Sequence, residues 1–287
     1  MDFGLLQFAF LRESLLVAFL LICSYYDIFN KKNIPLWVTI GMVAAGVLLN
    51  LATLDTNFIL YSSMIAIIIL AIGYAIYKTG QIGGADVFAF MGIALLIPSS
   101  APNPAAIQLL QYPFVFSVFL VSGFLAMLGI CAKYIPRIAI LFAKGKIKPG
   151  LWDALASGIL VVVSAPLILN MFERGILSLT QATGLSLLIA LTAFLSLFKS
   201  QISDSMIEWV KLKEIDEEDV IALKLLDPKT VKRYKLNAVL EKGEFEKLKR
   251  MNLKKYPIYK GMPAFMPYLL LAAIIILAIG DPILLLF

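Results

Sequence analysis

Two aspartates have the residue type and the placement to do chemistry. Asp27 closes an apolar run in LICSYYDIFNKKNIP, and Asp86 opens another in KTGQIGGADVFAFMGIALLIP. Ionisable groups at the margin of long apolar stretches are costly and usually have a task. Two close carboxyls cannot easily both ionise, so they share a proton. The ionised member can take a proton from water as the water attacks a carbonyl carbon. The neutral member hydrogen-bonds to the carbonyl oxygen and polarises it. That is a route to peptide hydrolysis. The same two acids would also suit a carrier that binds cations or relays protons. In a structural membrane subunit both would be dispensable. Taken singly, Asp86 reads as an N-cap, and Asp27 as an interfacial residue beside Tyr25 and Tyr26.

Composition removes most other chemistry. The chain has no histidine, which excludes Ser-His-Asp and Cys-His nucleophiles, HExxH zinc sites and imidazole relays. Its two cysteines, Cys23 and Cys131, both lie in apolar runs and offer neither a disulfide framework nor a CxxC metal site. No metal, cofactor or nucleic-acid partner is expected.

The elements that must position the aspartates are membrane helices. The 287 residues are 61% hydrophobic and 15% charged, against about 25% charged in a soluble domain. Apolar runs long enough to cross a ~30 Å hydrocarbon core recur along the chain. Eight spans are predicted, at about 13–29, 35–54, 58–77, 87–98, 108–132, 153–171, 178–198 and 264–287. The expected fold is therefore an all-α polytopic membrane protein with about eight transmembrane helices. The basic residues orient it. With both termini outside, only Arg12 and Arg174 of the 25 Lys and Arg residues face outward. Lys31 and Lys32 then anchor the first inner loop. Arg12 and Glu13 mark the outer start of the first span.

This topology puts Asp27 and Asp86 in the same, cytoplasmic leaflet. Glu13 to Asp27 is roughly 21 Å of helix and Asp86 to Pro98 roughly 18 Å, both short of a full crossing. Gly83, Gly84 and Ala85 lead into Asp86. The two glycines would let non-helical backbone enter a crowded site and a substrate strand come close. Asp86 at a helix N-terminus favours the anion, and Asp27 at a C-terminus the neutral form. Asp86 is thus expected to be the base and Asp27 the acid.

Three regions are expected: a transmembrane catalytic core over 1–199, a small α-helical cytoplasmic insert over 200–262, and a final transmembrane helix over 263–287. In the insert, charged and apolar residues alternate at near-helical spacing, with Pro228 and Gly243 as helix breaks. Its acidic run, Glu214, Asp216, Glu217, Glu218 and Asp219, could dock a basic peptide or be a solvated turn. The basic stretch 134–150 reads either as a surface-lying segment or as an ordinary inner loop. Gly73 reads as a packing glycine, and Asp153 as the N-cap of the sixth span.

The segments around the aspartates also carry a resemblance. YYDIFNKKNIP followed by a span resembles the first-aspartate motif of type IV prepilin peptidases and archaeal preflagellin peptidases. GGAD resembles their GxGD motif, with Ala85 at the third position. GMPAFMPYLL at 261–270 resembles their closing segment. Tyr26-Asp27, GGAD and Pro263-Ala264-Phe265 are more faintly similar to presenilin-like proteases. The resemblance implies a membrane-embedded aspartyl endopeptidase with Asp27 and Asp86 as the catalytic pair. Its partner would be a membrane-anchored pilin-like or archaellin precursor, cut behind a basic leader at the cytoplasmic face of the bilayer. Bacterial members often carry a four-cysteine zinc domain and methylate the product. This chain lacks such cysteines, which implies the archaeal type without methyl transfer.

Overall fold

Apolar runs become helices wherever a turn residue or cap stops them, and the boundaries follow those signals. The structure, a computed structural model, describes residues 8–30, 33–80, 82–99, 112–216, 219–240, 242–251 and 253–280. Eight apolar helices correspond to the predicted spans: α1 (Ala9–Phe29), α2 (Leu36–Ala52), α3 (Thr56–Lys78), α4 (Gly84–Leu96), α5 (Phe114–Ala143), α6 (Leu151–Glu173), α7 (Leu179–Leu197), and α11 (Met266–Ile279) near the C-terminus. Of these, α1, α3, α5, α6 and α7 are long and apolar enough to cross a membrane, whereas α2, α4 and α11 are shorter. Between α7 and α11 come α8 (Lys199–Ser205), β1 (Glu208–Val210), α9 (Pro228–Tyr234), α10 (Lys242–Met251) and β2 (Tyr256–Ile258). The chain forms two compact units. One gathers α1 to α4 with residues 206–270, and the other holds most of α5, with α6, α7, α8 and residues from 271 on.

In the first unit α4 is the central helix. It spans only 13 residues, about 20 Å, yet Val87, Ala89, Phe90 and Gly92–Leu96 are all buried. Glycines make room for it. A Cβ on Gly46 of α2 would lie 2.6 Å from Leu95, and one on Gly73 of α3 would lie 2.7 Å from Val87. Gly73 therefore does act as a packing glycine. In the other direction, Met42 of α2 fills the notch at Gly92.

The far end of this bundle is tied by Arg12. It lies in the first turn of α1 and is only 2% exposed, buried among the neighbouring helices. Its Nη1 donates to Asn50 Oδ1 (2.7 Å) and to the Leu96 carbonyl (3.1 Å), and its Nη2 donates to the Leu49 carbonyl (3.0 Å). The last carbonyls of a helix have no partner within it, and one guanidinium fork supplies donors to the ends of both α2 and α4. Asn50 Nδ2 donates onward to Ser62 of α3 (3.0 Å), and the Arg12 guanidinium lies over the Phe58 ring.

The segment after α8 is not purely helical. β1 and β2 pair antiparallel with Trp209 opposite Pro257, and the Gly261 N–H donates to the Met206 carbonyl (2.9 Å). The two ends of residues 206–261 are thereby joined. Ile221, Leu236, Leu240, Leu248, Tyr256 and Ile258 form a separate small core. Pro228 is the first residue of α9, capped by Asp227. Gly243 lies within α10 and is not a break. Short strands escape a helical reading because three residues carry too little periodicity to register.

In the second unit α6 and α7 form a helical hairpin. The Ser157 hydroxyl donates to the Ala193 carbonyl (2.8 Å), and Ser178 and Gln181 make a reciprocal capping box at the start of α7. Asp153 is not the N-cap of α6. Gly150 holds that position, with Asp153 in the first turn. Residues 134–143 are neither a loop nor a separate surface helix; they continue α5 past Pro136.

Candidate active site

Asp27 lies in the last turn of α1 and is 6% exposed. Positions i−3 and i−4 share its helix face, so Cys23 and Ser24 stand beside it. Both are buried, and the Ser24 hydroxyl has no hydrogen-bond partner among the described residues. The Asp27 Oδ2 accepts a hydrogen bond of 2.9 Å from the N–H of Met266. Met266 is the first residue of α11, so the carboxylate takes one of the donors that a helix N-terminus leaves without an internal partner.

Asp86 is the third residue of α4. Its Oδ2 accepts the Gly83 N–H at 3.0 Å, half of a capping-box arrangement. Gly83 has extended backbone (φ −77°, ψ 155°) that any residue can adopt. Its lack of a side chain matters for space, because a Cβ there would lie 3.2 Å from the Asp86 Oδ2. Gly84 and Ala85 are the first two residues of α4.

Three elements meet around the aspartates. Phe90, one turn beyond Asp86, packs against Phe265 with ring centroids 6.2 Å apart, and Phe265 immediately precedes Met266. The end of α1, the start of α4 and the start of α11 therefore share one locale. Helix-end electrostatics no longer separate the two acids. Asp86 sits at the N-terminus of its own helix and Asp27 at that of α11, and both positions favour an anion.

The insert also touches the lead-in to Asp86. Gly80 adopts φ +75°, and a Cβ there would meet Val220, Val239 and Ala238 at 3.2–3.6 Å. A left-handed residue is cheap only as glycine, so this turn fits tightly against the insert. Gly80 lies outside the sequence motifs, Arg12 reads only as the outer start of the first span, and Met266 lies within GMPAFMPYLL without its amide being marked out. The signals that could have found two of them are an arginine inside an apolar run and a Thr-Gly dipeptide directly after a span. Nothing local marks the Met266 amide.

The acidic run is only partly open to a ligand. Lys260 Nζ pairs with Asp219 (2.5 Å) and Asp216 (3.1 Å). Burial alone would lower the Lys260 ammonium, but the hydrogen bond and charge of Asp219, then of Asp216, outweigh it and hold it above its ordinary value. Glu214 accepts the Lys211 N–H (3.2 Å) at a 3₁₀ turn. Glu217 and Glu218, like Lys31 and Lys32, lie outside the described residues.

Residues 14–132 match the model of the type IV leader peptidase family. The matched stretch contains Asp27 and Asp86 and excludes the insert. No curated protein and no solved structure matches the chain.

Proposed function

We propose that Asp27 and Asp86 are the catalytic pair of a membrane-embedded aspartyl endopeptidase, a reading supported by the match of residues 14–132 to the model of the type IV leader peptidase family. One carboxylate accepts a proton from water as the water oxygen bonds to the scissile carbonyl carbon. The other, protonated, hydrogen-bonds to the carbonyl oxygen and then protonates the departing amine. Which residue plays which part is a property of the coupled pair. The substrate is a membrane-anchored prepilin-like or archaellin precursor, cut behind its basic leader at the cytoplasmic face. The new N-terminus leaves unmethylated.

The observation that supports this reading is that the Met266 N–H bonds to Asp27 while Phe265 beside it packs on Phe90, one turn beyond Asp86. The contacts support a common neighbourhood for two acids that come from separate helices and lie far apart in sequence. Co-expression with a membrane-anchored, pilin-like precursor tests it. A leader-sized shift is expected with the natural chain, and none with Asp27→Asn or Asp86→Asn, although both variants insert normally. Cleavage that survives either substitution would overturn the assignment. Mass spectrometry of the product N-terminus checks for a methyl group.

A further inference from the structure

The insert presents an open groove of about 540 Å³ that the proposed reaction does not use. Trp209, Leu225 and Leu253 line it and are exposed by 51%, 44% and 42%. Lys254 and Lys255 line the same groove, and both are exposed. Their ammonium groups make no hydrogen bond or ion pair among the described residues. The one acid in the lining, Asp227, is occupied as a helix cap, accepting from the Thr230 N–H (3.2 Å) and hydroxyl (3.0 Å). The groove thus offers an aromatic ring and two leucines beside two positive charges. We propose that this face docks on the headgroup layer of the bilayer that holds the chain, and that it selects anionic lipid.

Three observations favour that occupant. Apolar side chains with a tryptophan and adjoining lysines are the composition of an interfacial contact, in which the rings sit among the headgroups and the ammonium groups pair with lipid phosphate. The groove also lies close to the bilayer along the chain. Trp209 is three residues from Met206, Met206 is bonded to Gly261, and Gly261 is five residues from the Met266 amide that reaches Asp27. Even fully extended, those steps span about 10 Å and about 17 Å. Finally, a basic leader peptide would meet like charge at Lys254 and Lys255, so the groove does not suit the proposed substrate. Docking here would hold the insert, and with it the 261–266 segment on Asp27, at a fixed height. This last consequence rests on the proposed peptidase site; the docking itself does not.

The test uses the full chain with Trp37→Phe and Trp152→Phe, so that Trp209 is the sole tryptophan. It is reconstituted in nanodiscs whose lipids carry bromine at the upper acyl chain, with either phosphatidylglycerol or phosphatidylcholine headgroups. Strong quenching of Trp209 is expected in the phosphatidylglycerol discs and weak quenching in the phosphatidylcholine discs. Loss of Lys254 and Lys255 should shift the docked equilibrium by roughly five-fold each, about 30-fold together. Lys254→Glu with Lys255→Glu should thus bring the anionic discs down to the neutral level. Added salt should do the same in the unsubstituted pair, which keeps the test independent of how the charge variants fold. Equal quenching in both lipids, quenching that ignores salt, or quenching that appears only when precursor or a second copy of the chain is added would overturn the proposal. The readout needs no cleavage, so its failure and that of the peptidase reading are separately visible.

Discussion

The two ends of α1 carry opposite designs. Arg12 and Asp27 are about 22 Å apart along one helix, and both are buried, but their surroundings differ in kind. At the Arg12 end, donors and acceptors from α1, α2, α3 and α4 form a chain of bonds through Arg12, Asn50 and Ser62, closed by the carbonyls of Leu49 and Leu96. A buried charge with such partners locks helices together. At the Asp27 end, the carboxylates accept from main-chain N–H groups at helix starts, Met266 for Asp27 and Gly83 for Asp86. Those donors are amides that helix starts leave without an internal partner. One helix thus meets buried charge with carbonyls and an asparagine at one end and with main-chain amides at the other, which suits a scaffold at the first and the proposed site at the second.

This contrast can be broken from either end. The largest effect is expected from Asp27→Asn and Asp86→Asn, which should each lower cleavage by about 10³-fold or more while leaving the detergent-solubilised melting temperature nearly unchanged. Arg12→Met should do the reverse. It leaves buried acceptors on α2 and α4 without their donor, a cost of about 1–3 kcal/mol for each, read as a large fall in melting temperature or as failure to accumulate. Any residual protein should still cleave. Were Arg12→Met to abolish turnover in a fully stable protein, the division into scaffold and site would be wrong.

Smaller changes sharpen the comparison by acting on the insert. Gly80→Ala forces a side chain into a left-handed turn, at about 1–2 kcal/mol, and presses it against Val220 and Val239. Because that turn leads to Asp86, cleavage should fall by about ten-fold with little change in the hydrogen exchange of α1. Lys260→Met removes the ion pair with Asp216 and Asp219 and should weaken residues 206–261 by about 1 kcal/mol, seen as faster hydrogen exchange at Tyr256–Ile258. The pH dependence has a definite sign. The folded Lys260 is raised, so its contribution is fully present below about pH 10.4, the unfolded value, and is lost as pH rises through the folded value. Stability of the insert measured from pH 9 upward should decline in the natural chain, and that component of the decline should be absent in Lys260→Met.

Much of this was legible in one dimension. Helices are local structures, and a bilayer demands long apolar ones, so the eight apolar segments and the placement of both aspartates at helix margins follow from residue order alone. The motif around Asp27 and the GGAD segment likewise resemble those of a leader-peptidase family, whose model residues 14–132 match. Tertiary structure decided the rest, because it depends on groups that meet across the chain. The main-chain amide of Met266 has no residue identity to read, and it lies 239 positions from Asp27. Arg12 reads from its position as the outer start of a span, and only the fold shows its fork serving the ends of α2 and α4. Two three-residue strands carry too little pattern to be recognised, yet their pairing brings the two ends of the insert together. Local periodicity specifies which segments exist; only packing specifies whose unpaired donors and acceptors they satisfy.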